Sequence, residues 1–253
     1  MKISIITVCY NSQTTIKHTI NSVLSQSFKN IEYIIIDGGS TDRTVSIIEE
    51  YREHLTHFIS GRDEGIYDAL NKGINLASGD VIGILNSDDF YTNINVLSYI
   101  NEQFNLNPLV DIILGNVDYV LPIDLSRTIR HYSSNDFEPW KMYFGFMPAH
   151  PSTFLRKKVY DRVGLYKINY SIAADFDIFV RMFLVHKLSC KKINLTIVKM
   201  RTGGVSTSGF SSYWTTTHEI LRSLKENGLH SNLIFVLIRL PVKYFQLMKE
   251  KIK

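Results

Sequence analysis

The sequence predicts an α/β domain built on a mostly parallel sheet. Two observations carry this. Across residues 1–90, short apolar runs alternate with amphipathic helical stripes. Polar clusters then follow the apolar runs, where open α/β sheets bind ligands beyond the carboxyl ends of their strands. The composition agrees: 253 residues, 45% hydrophobic and 21% charged, suit one large globular domain or one with an appendage.

The elements follow in order. Residues 3–8 are a continuous apolar strand. Ile16, Ile20, Val23 and Leu24, at i, i+4, i+7 and i+8, form the stripe of a core-facing helix, with Ser12 as its expected N-cap. Residues 31–36 read as a second strand ending in Asp37-Gly38-Gly39-Ser40-Thr41-Asp42, and Val45, Ile48 and Tyr51 mark the next helix, for which Ser40 or Thr41 is the expected cap. A short strand at 57–60, a helix at 66–77 and the apolar run VIGIL at 81–85 complete the alternation. Further on, 111–120 and 127–132 read as a hairpin joined through Pro122. Residues 133–151 are a long loop with Trp140, Tyr143, Phe144 and Phe146, either a substrate wall or a satellite core. A helix at 174–185, a strand at 190–200, a flexible turn at 202–206 and helices at 212–227 and 232–251 finish the chain.

Composition excludes several classes. Cys9 and Cys190 give neither a disulfide framework nor zinc-ligand spacing, and a reduced, cytoplasmic environment is expected. No apolar run reaches membrane-spanning length. The formal net charge of +4 sits in residues 239–253, where Arg239, Lys243, Lys249, Lys251 and Lys253 oppose Glu250. A basic tail is not a nucleic-acid footprint spread over a face. Its apolar companions Ile234, Val236, Leu237, Leu240, Phe245 and Leu247 make it either a helix packed on its own domain or one lying on an anionic membrane surface.

Three polar clusters end strands on one expected rim: Tyr10-Asn11, Asp37, and Asn86-Ser87-Asp88-Asp89. Turn chemistry alone explains any one of them. Two adjacent carboxylates at the end of a buried strand repel each other, and a divalent cation, Mn²⁺ or Mg²⁺, removes that liability. Asp37, followed by two glycines that let a ligand approach the backbone, offers an acceptor to a base N–H or ribose hydroxyl. The segment from Arg62 to Gly73 is dense in polar groups, and Asp63 and Asn71 are its functional candidates.

The stretches "TVCYN", "IDGGSTD", "DEGIYDALNKG", "LNSDDF" and "AADFDIFVR" occur in the order found in inverting family 2 glycosyltransferases. Over most of residues 1–206 the chain resembles that family, and most of all its bacterial O-antigen and capsule enzymes. The resemblance implies a GT-A fold, a Rossmann-like mostly parallel sheet flanked by helices, with a C-terminal helical extension. It implies a nucleotide-binding half at about 1–110, an acceptor half at about 111–206, and C-terminal helices over 207–253. It makes Thr7, Tyr10, Asn11, Asp37, Asp63, Asn71, Asn86 and Ser87 candidate contacts of a nucleotide-sugar donor. Asp88 and Asp89 become candidate ligands of Mn²⁺ or Mg²⁺, with His150 near the metal or diphosphate. Asp175 matches the family's catalytic base. The alternative reading of Asp175 is a helix N-cap, whereas Asp177 has Arg181 at i+4 for an exposed ion pair.

Three departures stand out. Gly38 stands where the family often has a second acid, Asn86 replaces the first Asp of its D-x-D motif, and Ala174 replaces the Glu often preceding the base. The Q-x-x-R-W pattern of processive synthases is absent, so one sugar per encounter is expected. The implied reaction moves a sugar, expected to be UDP-linked, to a saccharide or lipid-linked saccharide at the cytoplasmic face of the inner membrane. The alternatives are an inactive nucleotide-sugar-binding or assembly protein at the membrane, and a nucleotidyltransferase. The latter lacks support because "CYNSQTT" is neither Gly-rich nor basic.

Overall fold

The computed structural model describes residues 1–203 and 210–241. The first half follows the expected alternation: β1 Ile3–Cys9, α1 Ile16–Leu24, β2 Ile31–Asp37, α2 Thr44–Glu49, β3 His57–Ser60, α3 Ile66–Leu76 and β4 Val81–Ile84. These four strands are parallel, in the order β3-β2-β1-β4. Every residue of β1 is buried, which is why its sequence is a continuous apolar run without alternation. Ile3, Ile5 and Cys9 face the core under α1, with Ile16, Ile20 and Val23. Ile6 and Val8 face the opposite core under α3, with Leu70 and Ile74. Gly73 permits this second contact, since a Cβ there would lie 2.5 Å from Ile6 Cγ2.

The rest of the chain is β5 Phe90–Tyr91, α4 Val96–Leu106, β6 Ile112–Leu121, β7 Asp124–Tyr132, β8 Thr153–Arg156, α5 Lys158–Val163, α6 Ala174–Val180, β9 Cys190–Arg201, α7 Phe210–Glu226 and α8 Leu233–Leu237. β8 runs antiparallel between β4 and β6 and joins the two halves into one nine-stranded sheet. β6 forms the expected hairpin with β7 and also pairs in parallel with β9. The helix expected through residue 185 changes at Arg181–Val185 to a single π turn. The long loop 133–151 contains a 3₁₀ turn at Pro139–Phe144, whose Met142 is fully buried.

Two expectations are corrected, on the caps of α1 and α2. Ser12 does not cap α1 with its side chain; its hydroxyl reaches Ser87 Oγ at 2.8 Å, and its backbone carbonyl accepts the amides of Thr15 and Ile16. Neither Ser40 nor Thr41 caps α2. Asp42 Oδ1 accepts the Thr44 amide at 2.9 Å instead. The C-terminal helices join the main core, where Ile220, Leu224 and Val236 are buried. Arg239 is 3% exposed and donates to Thr217 Oγ1 at 2.7 Å, so it belongs to the fold rather than to a free basic face. The expected helix at 232–251 is described as α8 and through residue 241. Lys243, Phe245, Leu247, Lys249, Lys251 and Lys253 lie outside the described residues, as does most of the turn at 202–206.

Candidate active site

The strand registers Cys9↔Asp37 and Asp37↔Ser60 bring the ends of β1, β2 and β3 level on one rim, beside the loop leaving β4. Asp37 is fully buried and organises this rim. Its carboxylate accepts the amides of Gly39 and Ser40 and the hydroxyls of Ser40 and Ser60. These bonds shape the turn after β2, at the position where a donor contact is expected. Asn11, at φ 49°, accepts the Thr41 amide at 2.9 Å and ties the first loop to that turn. Tyr10, by contrast, is 63% exposed, an aromatic face presented to solvent at the end of a buried strand.

Asp63 faces the same place. Its side chain is 6% exposed and pairs with Lys72 through Oδ1, while Oδ2 has no hydrogen-bond partner among the described residues. A Cβ at Gly38 would lie 3.2 Å from that Oδ2 and 3.7 Å from Tyr10 Cδ2. The Gly38 departure thus has a physical reason: an acid there would crowd and repel Asp63.

The loop after β4 carries the two adjacent acids. Asp89 is fully buried; Oδ2 accepts from Asn86 Nδ2 at 3.3 Å and Oδ1 has no partner among the described residues. Burial and the neighbouring Asp88 raise its pKa well above the ordinary carboxylate range. Asp88 is partly buried and also raised by burial, against the opposing effect of Arg201. Thr19 Oγ1 donates to the carbonyls of Ser87 and Asp89 at 2.9 and 2.7 Å, which fixes the loop on α1. Two crowded carboxylates with an orphaned oxygen are a donor set suited to a divalent cation. Among the described residues no cluster of three His, Cys, Asp or Glu forms.

Arg201 escapes the sequence reading. At the end of β9 it donates to the Asp88 carbonyl and to His18 Nδ1, and its guanidinium lies 5.0 Å from the Phe90 ring centroid. It places a cation beside the acidic loop, where a diphosphate would need one. The available signal was a lone Arg ending an apolar strand just before Gly203-Gly204.

Asp175 opens α6. The N-cap is Ala173, without a side-chain bond, so capping does not explain Asp175. Its Oδ1 accepts the next amide, Phe176 N, at 2.8 Å. Burial raises its pKa to about 6, Phe176 opposes this, and the Glu219 charge adds to it. The phenols of Tyr67, Tyr119 and Tyr166 all lie in its field. Tyr119 also lies in the field of Asp89.

Four expected roles differ. Thr7 is fully buried and shares a hydrogen bond with the Tyr33 hydroxyl at 3.2 Å, a sheet contact rather than a donor contact. Asn71 pairs with the Tyr166 backbone both ways, at 2.8 and 2.9 Å, and pins that loop to α3. His150 was expected at the metal. Its Nε2 instead meets the Tyr166 hydroxyl at 2.6 Å, in a small cavity with Ile82, Ile84, Leu155 and Met182, and burial lowers its pKa to about 4. Asp177 is fully buried, not exposed; it binds Lys167, Arg181, Ser223 and Asn227.

Comparison with known proteins agrees with this architecture. A Mycobacterium tuberculosis protein named uncharacterized glycosyltransferase Rv1514c is 29% identical over 198 residues, covering 78% of this chain and 72% of its own. The Escherichia coli UDP-Glc:alpha-D-GlcNAc-diphosphoundecaprenol beta-1,3-glucosyltransferase WfaP is 28% identical, covering 82% of this chain and 81% of its own. Among solved structures, Staphylococcus aureus TarS 1-349 in complex with UDP-GlcNAc superposes with a TM-score of 0.69 at 19% identity, over 88% of this chain and 66% of that one. The Pyrobaculum calidifontis mannosyltransferase PcManGT in complex with GDP-Man and Mn²⁺ gives 0.65 at 14% identity, over 98% of this chain and 73% of that one. These likenesses show a shared GT-A fold. The sequence profile of Glycosyl transferase family 2 matches residues 4–164, more than half of the chain, which therefore belongs to glycosyl transferase family 2.

Proposed function

We propose that this protein transfers one sugar per encounter, with inversion, from a UDP-sugar to a hydroxyl of a lipid-linked saccharide in bacterial surface polysaccharide assembly. The observation that carries this reading is Asp175, a partly buried carboxylate at the start of α6 that makes no ion pair among the described residues and whose pKa burial raises to about 6. The nucleobase stacks on the exposed ring of Tyr10, and Asp63 Oδ2 accepts the ring N3–H, which uracil carries and cytosine and adenine lack. Asn86, Ser87 and Arg201 border the diphosphate. Asp88 and Asp89 would hold Mn²⁺ or Mg²⁺, a Lewis acid that would offset the charge of the diphosphate leaving group. As the acceptor oxygen bonds to the anomeric carbon, its proton passes to Asp175 Oδ2 and the bond from that carbon to the diphosphate oxygen breaks. The lipid-linked acceptor named for WfaP supports the acceptor class. The UDP-GlcNAc bound by TarS supports the donor class.

A nucleotide screen tests the donor. With Mn²⁺ present, UDP is expected to raise the melting temperature, by about 2.7 kcal/mol of stabilisation at one hundred times its Kd, whereas CDP and ADP raise it little. Equal effects from all three nucleotides would refute base selection by Asp63.

The acceptor class brings the protein to a membrane. Among the described residues no helix is long and apolar enough to cross one. Phe235 stacks on Phe144 at 5.2 Å, next to Trp140, and Ile234, Ile238 and Leu240 are exposed nearby in sequence. The proposed contact is this aromatic surface together with Lys243, Lys249, Lys251 and Lys253. Deleting residues 242–253 spares Val236 and Arg239. It is expected to weaken sedimentation with phosphatidylglycerol vesicles, each basic residue contributing about 1 kcal/mol. Unchanged sedimentation would remove the tail from the contact.

A further inference from the structure

Helix α7 presents Glu219, Arg222, Ser223, Glu226 and Asn227 at i, i+3, i+4, i+7 and i+8, one face of the helix. All five meet the segment that carries Asp175. Arg222 Nη1 donates to the Asn169 carbonyl at 3.2 Å, and its guanidinium lies 4.6 Å from the Tyr170 ring centroid. Glu226 accepts from Lys167 at 2.9 Å and from the Tyr170 hydroxyl at 3.0 Å. Ser223 and Asn227 donate to Asp177 Oδ1 at 2.9 and 3.1 Å.

Glu219 makes the most specific of these contacts. It is 8% exposed, and its carboxylate accepts the amides of Ser171, Ile172 and Ala173 at 2.6, 2.9 and 2.8 Å. These are the amides of the turn that runs into α6, whose N-cap, Ala173, makes no side-chain bond. The Tyr67 hydroxyl holds the Ile172 carbonyl of the same turn. A carboxylate from a later helix thus ties down the turn that leads into α6, two residues before Asp175.

We propose that Glu219 is a positioning residue for sugar transfer, clamping the turn that opens α6 so that Asp175 faces the acceptor hydroxyl. This rests on the reading of Asp175 as the base. The groups facing Asp175 are Tyr67 from α3, Tyr119 from β6, Tyr166 from the loop before α6, and Glu219 from α7. Glu219 is the charged member of this set. Its negative charge acts after burial to keep Asp175 a stronger base. The clamp lies beyond residues 4–164, so α7 contributes to the chemistry from outside the segment matched by the family profile.

Two variants separate charge from reach. Glu219→Gln removes the charge and sets an amide donor against backbone donors, whereas Glu219→Asp keeps the charge on a shorter stem. Hydrolysis of UDP-glucose and UDP-GlcNAc with Mn²⁺ is followed across pH, together with UDP affinity. Carbon-13 NMR of the Asp175 carboxyl reads its titration without any donor. Glu219→Gln is expected to lower kcat on the order of 10²-fold with UDP affinity unchanged. It also moves both the acidic limb of the rate profile and the Asp175 titration to lower pH. Glu219→Asp is expected to lose kcat while both stay near the wild-type pH. An unmoved Asp175 titration in Glu219→Gln overturns the proposal, as does wild-type kcat in that variant. An active Asp175→Asn enzyme would instead overturn the base assignment on which the proposal rests.

Discussion

Asp175→Asn is expected to lower kcat by about 10²- to 10⁴-fold while leaving UDP affinity near wild type. The substitution keeps the side chain's shape, and Asn Oδ1 still accepts the Phe176 amide that Asp175 accepts at 2.8 Å. What it removes is the ability to take a proton. The rate of the wild-type enzyme is expected to rise with pH through about 6, the pKa to which burial lifts this carboxyl. The same shift fixes the sign of the stability effect. The folded-state pKa of about 6 lies above the ordinary 3.8, so this group's contribution to stability is fully present below about pH 4 and lost as pH rises through 6. Asp175→Asn is therefore expected to stabilise the fold at pH 7.5, by about 1–2 kcal/mol, and not at pH 4. A slower enzyme that melts higher is the signature of a residue kept for chemistry. Asp177→Asn gives the opposite pattern. Its carboxylate is buried against Lys167 and Arg181, and weakening it costs folding. If Asp177→Asn folds normally and is the inactive enzyme while Asp175→Asn is active, the assignment is reversed.

Asp88→Ala is expected to abolish turnover, and Asp89→Ala to impair it. Asn86 leaves Asp88 as the only charged residue of the D-x-D-like segment. Asp88 is the partly exposed acid of the pair, whereas Asp89 is buried and takes one bond from Asn86. The loop survives either change, because Thr19 and Arg201 hold it through the carbonyls of Ser87, Asp88 and Asp89. The readout independent of activity is UDP affinity by calorimetry with Mn²⁺ and with chelator. In wild type the two values differ. In Asp88→Ala they are expected to coincide at the chelator value. Full turnover in Asp88→Ala, or in wild type stripped of divalent ions, would remove the metal from the account.

The parallel half of the fold was legible because burial on both faces imposes continuous apolar strands, and the helices between them carry clear stripes. β3 is the exception, an edge strand with its last two residues exposed, read at its observed limits all the same. The joining strand β8 was not read. Only four residues long, it owes its conformation to antiparallel pairing with β4 and β6, which are distant in sequence. Helix α4 went unread although its stripe of Val96, Leu97, Ile100 and Phe104 is present in the sequence. At the site, motif position identified the acidic loop and Asp175, but it could not separate contact from support. Asn71 and Thr7 stand in motifs as prominent as that of Tyr10, yet their side chains are committed to Tyr166 and Tyr33. Arg201 and Glu219 carry the reverse lesson. Each is a lone charge whose partners are far away in sequence, so only the folded chain brings them to the site.

The most direct test of inverting transfer is the configuration of the first sugar released. UDP-α-D-glucose and UDP-α-D-GlcNAc are offered with Mn²⁺ and water as acceptor, and the anomeric proton of the product is followed by NMR before mutarotation. A base on the face opposite the leaving diphosphate delivers water to that face, so the β anomer is predicted to appear first. First release of the α anomer from either donor would contradict the account.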